Sequence, residues 1–315
     1  MPKVITIVGP TSSGKTSLAL SLCQKFNGQV ISADSRQIYK HMDIGTGKLP
    51  INKSASTQHK IVKDDCKWQI EGIDMWGYDL TTPGSFYSAY EFAEFARNKI
   101  LDLQKQNTPV FLVGGTGFYV DTVAGKINLD EIPANQKLRK DLEKMSTAQL
   151  QTKLQNLDAT VYAKIDTKNP MRLMRAIEKA TQPKNQPTKM LPTLENTQFI
   201  YIGLTAPRET LYARTDAWLE QVWQNGLLDE TQNLIKAGFT NTPQLNGLIY
   251  KSAKAFLAGT LTAQDAIQRA KYDLHSYIRR QQTWFKKNPD TTWFDICEKT
   301  FSQKVEDVVK SILDG

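Results

Sequence analysis

Five short runs of mostly apolar residues mark the chain, and polar or amphipathic stretches separate them. The runs are KVITIV (3–8), QVISAD (29–34), PVFLVGG (109–115), TQFIYIGL (197–204) and TTWFDI (291–296). Strands that are apolar throughout are typical of a sheet covered on both faces, and alternation with helices favours parallel pairing. The pattern therefore predicts an α/β core in which helices flank a parallel sheet.

Apolar positions at helical spacing predict the connecting elements. They indicate helices at 16–26, 87–106, 206–222, 227–238, 250–259 and 261–287. The last of these becomes basic and aromatic toward its end.

Strand signals disappear between residues 125 and 193, where the chain is polar, helical in pattern and basic. From 125 to 190 it carries thirteen Lys and Arg against seven Asp and Glu, so this stretch holds +6 of the chain's net charge of +8. The stretch 181–196 is rich in Pro and Asn, as linkers are. We therefore expect a discontinuous core, 1–124 with 194–315, interrupted by an all-helical domain at 125–193.

The positive charge favours a polyanionic partner, although a merely soluble basic surface would explain the charge equally well. Cys23, Cys66 and Cys297 lie far apart and the three histidines show no ligand spacing, so we expect neither disulfides nor a zinc site. The sequence shows no leader and no apolar run of about 20 residues. We expect a cytoplasmic protein with no membrane segment, and nothing in the sequence requires more than a monomer.

The segment GPTSSGKT follows the first predicted strand and precedes the first predicted helix. It matches Gly-x4-Gly-Lys-Thr, in which backbone N–H groups and a helix N-terminus bind phosphates. Lys15 would add a charge on the phosphate oxygens, and the Thr16 hydroxyl would bind Mg²⁺. The residues expected to hold phosphate are Gly9, Pro10, Thr11, Ser12, Ser13, Gly14, Lys15 and Thr16. The motif alone leaves open whether the ligand is a nucleoside triphosphate or another phosphorylated compound.

A second polar group follows the second strand, where Asp34 precedes Ser35, Gln37 and Tyr39. Nucleotide hydrolysis needs an acidic residue at the end of another strand, yet PVFLVGG ends in glycines. Sheets of this class bind ligands at the carboxyl ends of their strands. The group around Asp34 suits recognition of a planar hydrogen-bonding molecule; the alternative is a polar loop that caps a helix.

Six segments together resemble the tRNA dimethylallyltransferase (tRNA isopentenyltransferase) family. They are GPTSSGKTSLAL, ISADSRQIYKHMDIGTGK, PGSFYSAYEFA, PVFLVGGTGFYV, LDATVYAKIDTKNPMRLMRAIE and YIRRQQTWFKK, in the family's order. The resemblance implies a P-loop NTPase-like core. It also implies transfer of a dimethylallyl group from dimethylallyl diphosphate to N6 of adenosine 37, in tRNAs that read codons starting with U.

The resemblance implies that Asp34, Lys15 and Thr16 are catalytic. Lys15, Arg214 and the rest of the phosphate loop would hold the diphosphate, which is the leaving group, with Mg²⁺ on Thr16. Asp34 would take the N6 proton. The residues implied to contact the adenine or the tRNA are Asp34, Ser35, Gln37, Tyr39, Thr46, Gly115, Thr116, Arg172, Arg175, Arg279, Arg280 and Gln281.

The target base would have to flip out of the anticodon loop, and the basic inserted domain would offset that cost by holding loop phosphates. For Trp284 and Phe285 we expect core packing rather than base stacking. For Arg172 and Arg175 the alternative to RNA contact is a solvated face or an ion pair within the insert.

Three positions depart from the family pattern. Trp218 stands where a diphosphate-binding Arg is usual, Ile249 where Gly is usual, and His275 where Arg is usual. The stretch 59–80 is also longer than the family's. The substitutes available for the missing charge are Arg208, Arg214 and Lys251.

Other functions compete with tRNA prenylation. One is prenylation of free AMP, ADP or ATP, which the basic insert opposes. Another is a P-loop kinase or NTPase, which the polar group around Asp34 opposes. A non-catalytic RNA-binding module would not need Lys15, Thr16 and Asp34 together.

Overall fold

The computed structural model describes residues 1–49, 60–64, 67–127, 129, 135–181 and 190–315. Several residues counted in the sequence lie outside these ranges, as does half of the expected linker, 182–189; these residues are His59, Cys66, Asp130, Glu131, Lys184 and Lys189. The described residues form two compact units, one of 1–128 with 192–315 and one of 129–191.

Eight strands of the first unit form a mixed, mostly parallel sheet. They are β1 (Lys3–Val8), β2 (Gln29–Ser32), β3 (Ile61–Asp64), β4 (Lys67–Ile70), β5 (Ile73–Trp76), β6 (Val110–Gly114), β7 (Gln198–Thr205) and β8 (Thr292–Asp295). Their order is β3-β4-β5-β2-β6-β1-β7-β8. Every neighbouring pair from β5 to β8 is parallel, which places β1 between β6 and β7.

The five predicted strands are all present, but the expectation of a purely parallel sheet is wrong at one edge. There β3, β4 and β5 form an antiparallel meander. Each has four residues, and β4 alternates, with Trp68 and Ile70 fully buried and Lys67 and Gln69 partly exposed. Such short, half-polar strands do not stand out beside the continuous apolar runs of the parallel strands.

Twelve helices accompany the strands in the described part of the chain. They are α1 (Lys15–Phe26), α2 (Ala89–Lys105), α3 (Gly117–Val123), α4 (Gln136–Leu142), α5 (Thr147–Leu157), α6 (Ala159–Lys164), α7 (Pro170–Thr181), α8 (Arg208–Val222), α9 (Leu228–Lys236), α10 (Leu248–Leu257), α11 (Ala263–Phe285) and α12 (Phe301–Asp314). All six predicted helices are found, and α3 and α12 were missing from the prediction. None of the described helices combines the length and apolar character that crossing a bilayer requires.

The core of the first unit lies between the sheet and the helices that cover it. Ile5 and Ile7 of β1, Leu22 of α1 and Phe111 of β6 are buried in one apolar cluster, joined from α12 by Val305. Burial of such side chains contributes about 1.5–3 kcal/mol each. Because these strands are parallel, the loops after β1, β2 and β6 meet at one edge of the sheet.

The second unit consists of α4 to α7 and has its own small core, formed by Leu142, Leu150, Leu154, Leu173, Met174, Ala176 and Ile177. Glu178 is completely buried beside it and forms ion pairs with Arg139 and Arg175. The unit's bounds, 129–191, lie within a few residues of the expected 125–193.

Candidate functional site

A cavity of about 330 Å³ opens where β1, β2 and β6 end. Its lining comes from the phosphate loop, from the polar group after β2, from the turn after β6, and from helices α8 and α11. The first unit therefore brings together three of the sequence motifs that lie far apart along the chain.

The phosphate loop connects β1 to α1. Gly14 is the N-cap of α1 and has φ 85°, a left-handed conformation that costs glycine little. Ser13 Oγ is buried and has no hydrogen-bond partner in the part of the chain that is described. A buried donor with no acceptor beside backbone N–H groups and a helix N-terminus fits a phosphate oxygen.

Lys15 points back across the loop, and its Nζ donates to Pro10 O at 2.7 Å. Burial lowers the pKa of Lys15 to about 8, while the nearby Asp34 carboxylate acts in the opposite direction. The ammonium is therefore poorly solvated, and a bound anion would stabilise its charged form.

Asp34 lies at the end of β2 and lines the same cavity. Its Oδ1 accepts a hydrogen bond from the Arg36 backbone N at 2.8 Å, which fixes the carboxylate. Burial raises the pKa of Asp34, although the backbone hydrogen bond and the charges of Lys15 and Arg36 oppose the rise. A carboxylate held in this way is a suitable proton acceptor near neutral pH.

Gln281 joins the two sides of the cavity. Its Oε1 accepts from Thr11 N at 2.8 Å, and its Nε2 donates to Gly115 O at 2.9 Å. A β-carbon on Gly115 would lie 2.3 Å from that Nε2, so only glycine permits this approach. Beside it, Thr116 Oγ1 accepts from Ser35 N at 3.0 Å.

Gln37 is buried, and its amide is already used within the protein. Ser32 Oγ donates to Gln37 Oε1 at 2.6 Å, and Nε2 donates to Thr46 O at 3.1 Å. Gln37 thus holds the Thr46–Gly47 backbone against the cavity. Tyr39 is buried with its hydroxyl on Gln244, and it is not among the lining residues.

The loop 42–47, which follows this polar group, is held from α9. Glu230 Oε2 accepts from the backbone N of Asp43 at 2.8 Å and of Ile44 at 2.7 Å, and its Oε1 accepts from Gly45 N at 3.0 Å. Tyr250 also donates its hydroxyl to Glu230, at 2.6 Å. One carboxylate therefore fixes a cavity wall.

Helix α8 brings Arg214 and Trp218 to the cavity. Arg214 Nη2 lies 3.7 Å from where a β-carbon on Gly14 would be, so its guanidinium lies beside the phosphate loop. His275 instead stacks on Tyr212, and its Nε2 lies 2.8 Å from Asp216 Oδ1, outside the lining. Trp218 and His275 both replace an Arg of the family pattern, but only Trp218 lines the cavity.

The other suggested substitutes for the missing charge do not line the cavity. Arg208 donates to Gln282 Oε1 at 3.3 Å, and Lys251 is exposed on α10. Ile249, the third departure, is buried.

The remaining predicted RNA contacts are not among the residues that line the cavity. Arg279 and Arg280 are exposed on α11, where they bond Tyr212 and Ser276. In the second unit, Arg172 is exposed and lies 3.6 Å from Asp166 Oδ2. Arg175 lies 3.1 Å from the buried carboxylate of Glu178, so the alternative of an internal ion pair holds for this residue.

Trp284 and Phe285 pack as expected. Phe285 is buried, and Trp284 Nε1 donates to Asp121 Oδ2 at 2.7 Å while its ring meets Phe118 edge to face.

Sequence reasoning missed several lining residues, namely Arg36, Leu49, Met75, Tyr78, Leu248, Leu274 and Tyr277. Arg36 and Tyr277 lie within two of the family-like segments, and that location was the signal that could have identified them. Met75 and Tyr78 come from the unpredicted edge of the sheet, and nothing in their local sequence marks them.

Fold and cavity together define a P-loop α/β protein in which a phosphate-binding loop faces a half-buried carboxylate. Comparison with known proteins identifies the family within this class. A family model described as IPP transferase matches residues 37–288, and one described as isopentenyl transferase matches residues 2–67. The chain belongs to the tRNA dimethylallyltransferase family and is a prenyltransferase enzyme.

Relatives match over nearly their whole length. A tRNA dimethylallyltransferase of Roseiflexus sp. is 33% identical, covering 100% of both chains, and one of Anoxybacillus flavithermus is 31% identical, covering 98% of this chain and 96% of its own. A solved tRNA isopentenylpyrophosphate transferase of Bacillus halodurans is 30% identical with a TM-score of 0.70, covering 100% of this chain and 97% of that one.

A solved eukaryotic dimethylallyltransferase acting on tRNA has a TM-score of 0.74 and 23% identity, covering 100% of this chain and 80% of that one. At that identity the likeness concerns the fold. The predicted α/β fold class and the predicted family are thus confirmed.

Proposed function

We propose that this enzyme transfers the dimethylallyl group of dimethylallyl diphosphate to N6 of adenosine 37, in tRNAs that read codons starting with U, giving N6-(dimethylallyl)adenosine. The observation that carries this proposal is the single cavity lined by both the phosphate loop and Asp34. N-prenylation needs two things from the protein: a site that binds the diphosphate leaving group, and a group that accepts the proton of the nitrogen.

In this proposal the diphosphate occupies the phosphate loop. Backbone N–H groups of the loop, the N-terminus of α1, the Lys15 ammonium and the Arg214 guanidinium surround the place where negative charge grows as the allylic C–O bond breaks. Arg214 lies beside Gly14, so it is the residue on α8 that supplies the charge Trp218 lacks.

Mg²⁺ fits the same end of the cavity. Thr16 is the hydroxyl residue at the start of α1, and Mg²⁺ in proteins commonly takes one or two protein oxygens together with phosphates and water. When bound, the ion would neutralise charge on the departing diphosphate. Thr16 would hold it; the neighbouring Lys15 binds the phosphate oxygens directly.

The acceptor nitrogen is placed beside Asp34. N6 attacks the allylic carbon, the C–O bond breaks, and diphosphate leaves with the bonding electrons. The new C–N bond makes N6 acidic, and the Asp34 carboxylate accepts its proton. The Gln281 bridge keeps the phosphate loop and the Gly115 turn at a fixed separation, which aligns donor and acceptor.

The polar residues near Asp34 have different proposed roles. Gly115 lines the cavity and would contact the adenine, and Ser35 and Thr116, which bond each other beside it, would complete that contact. Gln37, Tyr39 and Thr46 shape that side of the cavity, since Gln37 and Tyr39 already bond within the protein.

The second unit and the exposed Arg279 and Arg280 are proposed to bind the anticodon stem-loop. The unit carries most of the chain's net charge, and contacts to phosphates supply most of the affinity for nucleic acids. We further propose that the enzyme acts as a monomer in the cytoplasm.

One assay tests the function. The protein is incubated with labelled dimethylallyl diphosphate, Mg²⁺ and unmodified tRNA, its isolated anticodon stem-loop, or AMP. Label on tRNA and on the stem-loop is the expected result. Label on AMP alone would replace this proposal with nucleotide prenylation, and phosphate release from ATP without prenyl transfer would replace it with NTPase activity.

A further inference from the structure

Arg36 presents at the cavity a guanidinium group in which one nitrogen has no partner among the described residues. The residue lines the cavity, and its Nη2 is shielded from solvent without a hydrogen-bond partner among the described residues. A shielded guanidinium N–H that lacks an acceptor is unfavourable in the free protein, because its hydration is lost and nothing replaces it. Such a donor indicates that a ligand supplies the acceptor.

The guanidinium is held in place by its surroundings. The Arg36 backbone is tied to the Asp34 carboxylate. Its side chain reaches Gly247, where a β-carbon would come 3.0 Å from both Nη1 and Nη2. Gly247 is the N-cap of the ten-residue helix α10 and has no side-chain cap, so the partial positive charge of that helix end adds to the charge of Arg36.

Arg36 reaches the cavity beside Gly247, at the start of α10. Lys15 and Arg214, in contrast, lie at the phosphate loop, where Lys15 bonds Pro10 O and Arg214 approaches Gly14. The diphosphate already has Lys15 and Arg214 there, so a second anion is the better match for Arg36.

We propose that Arg36 binds a backbone phosphate of the substrate RNA next to the target adenosine. This inference rests on the proposed function, in which that adenosine enters beside Asp34. A guanidinium pairs with phosphate through two parallel N–H bonds, and its fixed position would orient the flipped nucleotide as well as hold it. Arg36 is then a binding residue for the acceptor RNA and not for the diphosphate donor.

The test compares Arg36→Met and Arg36→Lys with the wild-type protein, using a synthetic anticodon stem-loop. Arg36→Met should raise KM for the stem-loop about tenfold or more, because a charge-assisted bond is lost. KM for dimethylallyl diphosphate should stay within about twofold. The salt slope of stem-loop binding should fall by about one. Arg36→Lys should recover part of the affinity, and Lys310→Met, an exposed charge on α12, is the matched control.

Single methylphosphonate replacements in the RNA identify the partner. Replacing the phosphate beside the target adenosine should weaken wild-type binding and leave Arg36→Met unchanged. A rise in KM for dimethylallyl diphosphate alone would assign Arg36 to the donor instead. An additive loss at every phosphate would overturn the proposal. If Arg36→Met fails to fold, the same methylphosphonate replacements are tested with the wild-type and Arg36→Lys proteins, and a phosphate effect that is smaller in Arg36→Lys supports the proposal.

Stem-loop binding is measured directly as well as through turnover. Wild-type protein that binds the stem-loop but transfers no label would refute the proposed function while leaving the Arg36 contact testable. Wild-type protein that transfers label with no phosphate effect at Arg36 would refute this inference alone.

Discussion

Asp34 combines a fixed position with a raised proton affinity, and its replacement separates chemistry from binding. Asp34→Asn keeps the side-chain volume and an oxygen for the Arg36 N–H, yet it cannot accept a proton. We expect kcat to fall about 10²- to 10⁴-fold while the Kd for tRNA stays nearly unchanged. Single-turnover rates and equilibrium binding measure the two effects, with Asp290→Asn as an exposed control. Weakened binding with normal turnover would contradict the role as base.

Lys15 is expected to make the binding of dimethylallyl diphosphate depend on pH. Burial lowers its pKa to about 8, so in the free enzyme the ammonium loses its proton as the pH rises above that value. We expect kcat/KM for dimethylallyl diphosphate to decline above about pH 8, whereas kcat declines only at higher pH, because the bound diphosphate favours the charged form. Rate profiles between pH 5 and 10 test this, and a flat kcat/KM up to pH 10 would refute it.

Asp34 also sets the acid side of these profiles. Its pKa is raised from the ordinary 3.8 by burial, and only the deprotonated form can accept the N6 proton. Activity should therefore be lost, as the pH falls, at a higher pH than for an exposed aspartate.

Individual residues were predictable where the chemistry is contiguous in sequence. The phosphate loop and Asp34 each follow a recognisable strand, so their position at the sheet edge followed from topology. Gln37 was predicted to face the adenine, but its amide bonds to Ser32 and to the 46–47 backbone, partners that only the folded loop reveals. Arg36 was assigned no role from the sequence, because its guanidinium group lies against Gly247, which is far away in sequence.

At the scale of elements, helix α9 holds the loop 42–47 through one side chain. Glu230→Gln keeps the shape but offers a single acceptor oxygen to three backbone N–H groups. We expect the free energy of unfolding to fall by about 1–3 kcal/mol and substrate KM to rise, since Thr46 and Gly47 line the cavity. Urea unfolding and steady-state kinetics measure these, with the exposed Glu298→Gln as control. An unchanged free energy of unfolding would show that the loop 42–47 keeps its conformation without the Glu230 carboxylate.

The edge strands show which elements a sequence pattern conceals. The parallel strands bury both faces and read as continuous apolar runs, whereas β3 and β4 are short and half polar. The edge strands contribute to the site through tertiary contacts, since β5 pairs with β2 and brings Met75 to the cavity. A cavity lined from distant strands leaves no local signature in the sequence.

At the scale of the whole molecule, the second unit is predicted to set the salt dependence of tRNA binding. Lys140 and Arg172 are exposed there, so replacing both with Gln should reduce the salt slope by about two, with folding intact. Fluorescence titrations of tRNA at several salt concentrations measure the slope. An unchanged slope would remove these two residues from the RNA interface.

Arg175 is the matched comparison for that experiment. It pairs with Glu178, whose carboxylate is fully buried, so Arg175→Gln should mainly destabilise the unit. The charge count of the segment predicted a basic surface, but it could not separate a cation that faces solvent from one used inside the core.

The Gln281 bridge has a consequence for the order of events in catalysis. One amide group holds both the Thr11 backbone and the Gly115 backbone, so a ligand that tightens one side restricts the other. Donor and acceptor should therefore bind with positive synergy, and the coupling free energy must be the same whichever substrate binds first. Hydrolysis of dimethylallyl diphosphate by the enzyme is therefore expected to stay slow until the RNA is bound, because the phosphate loop reaches its tightest form only with both substrates present.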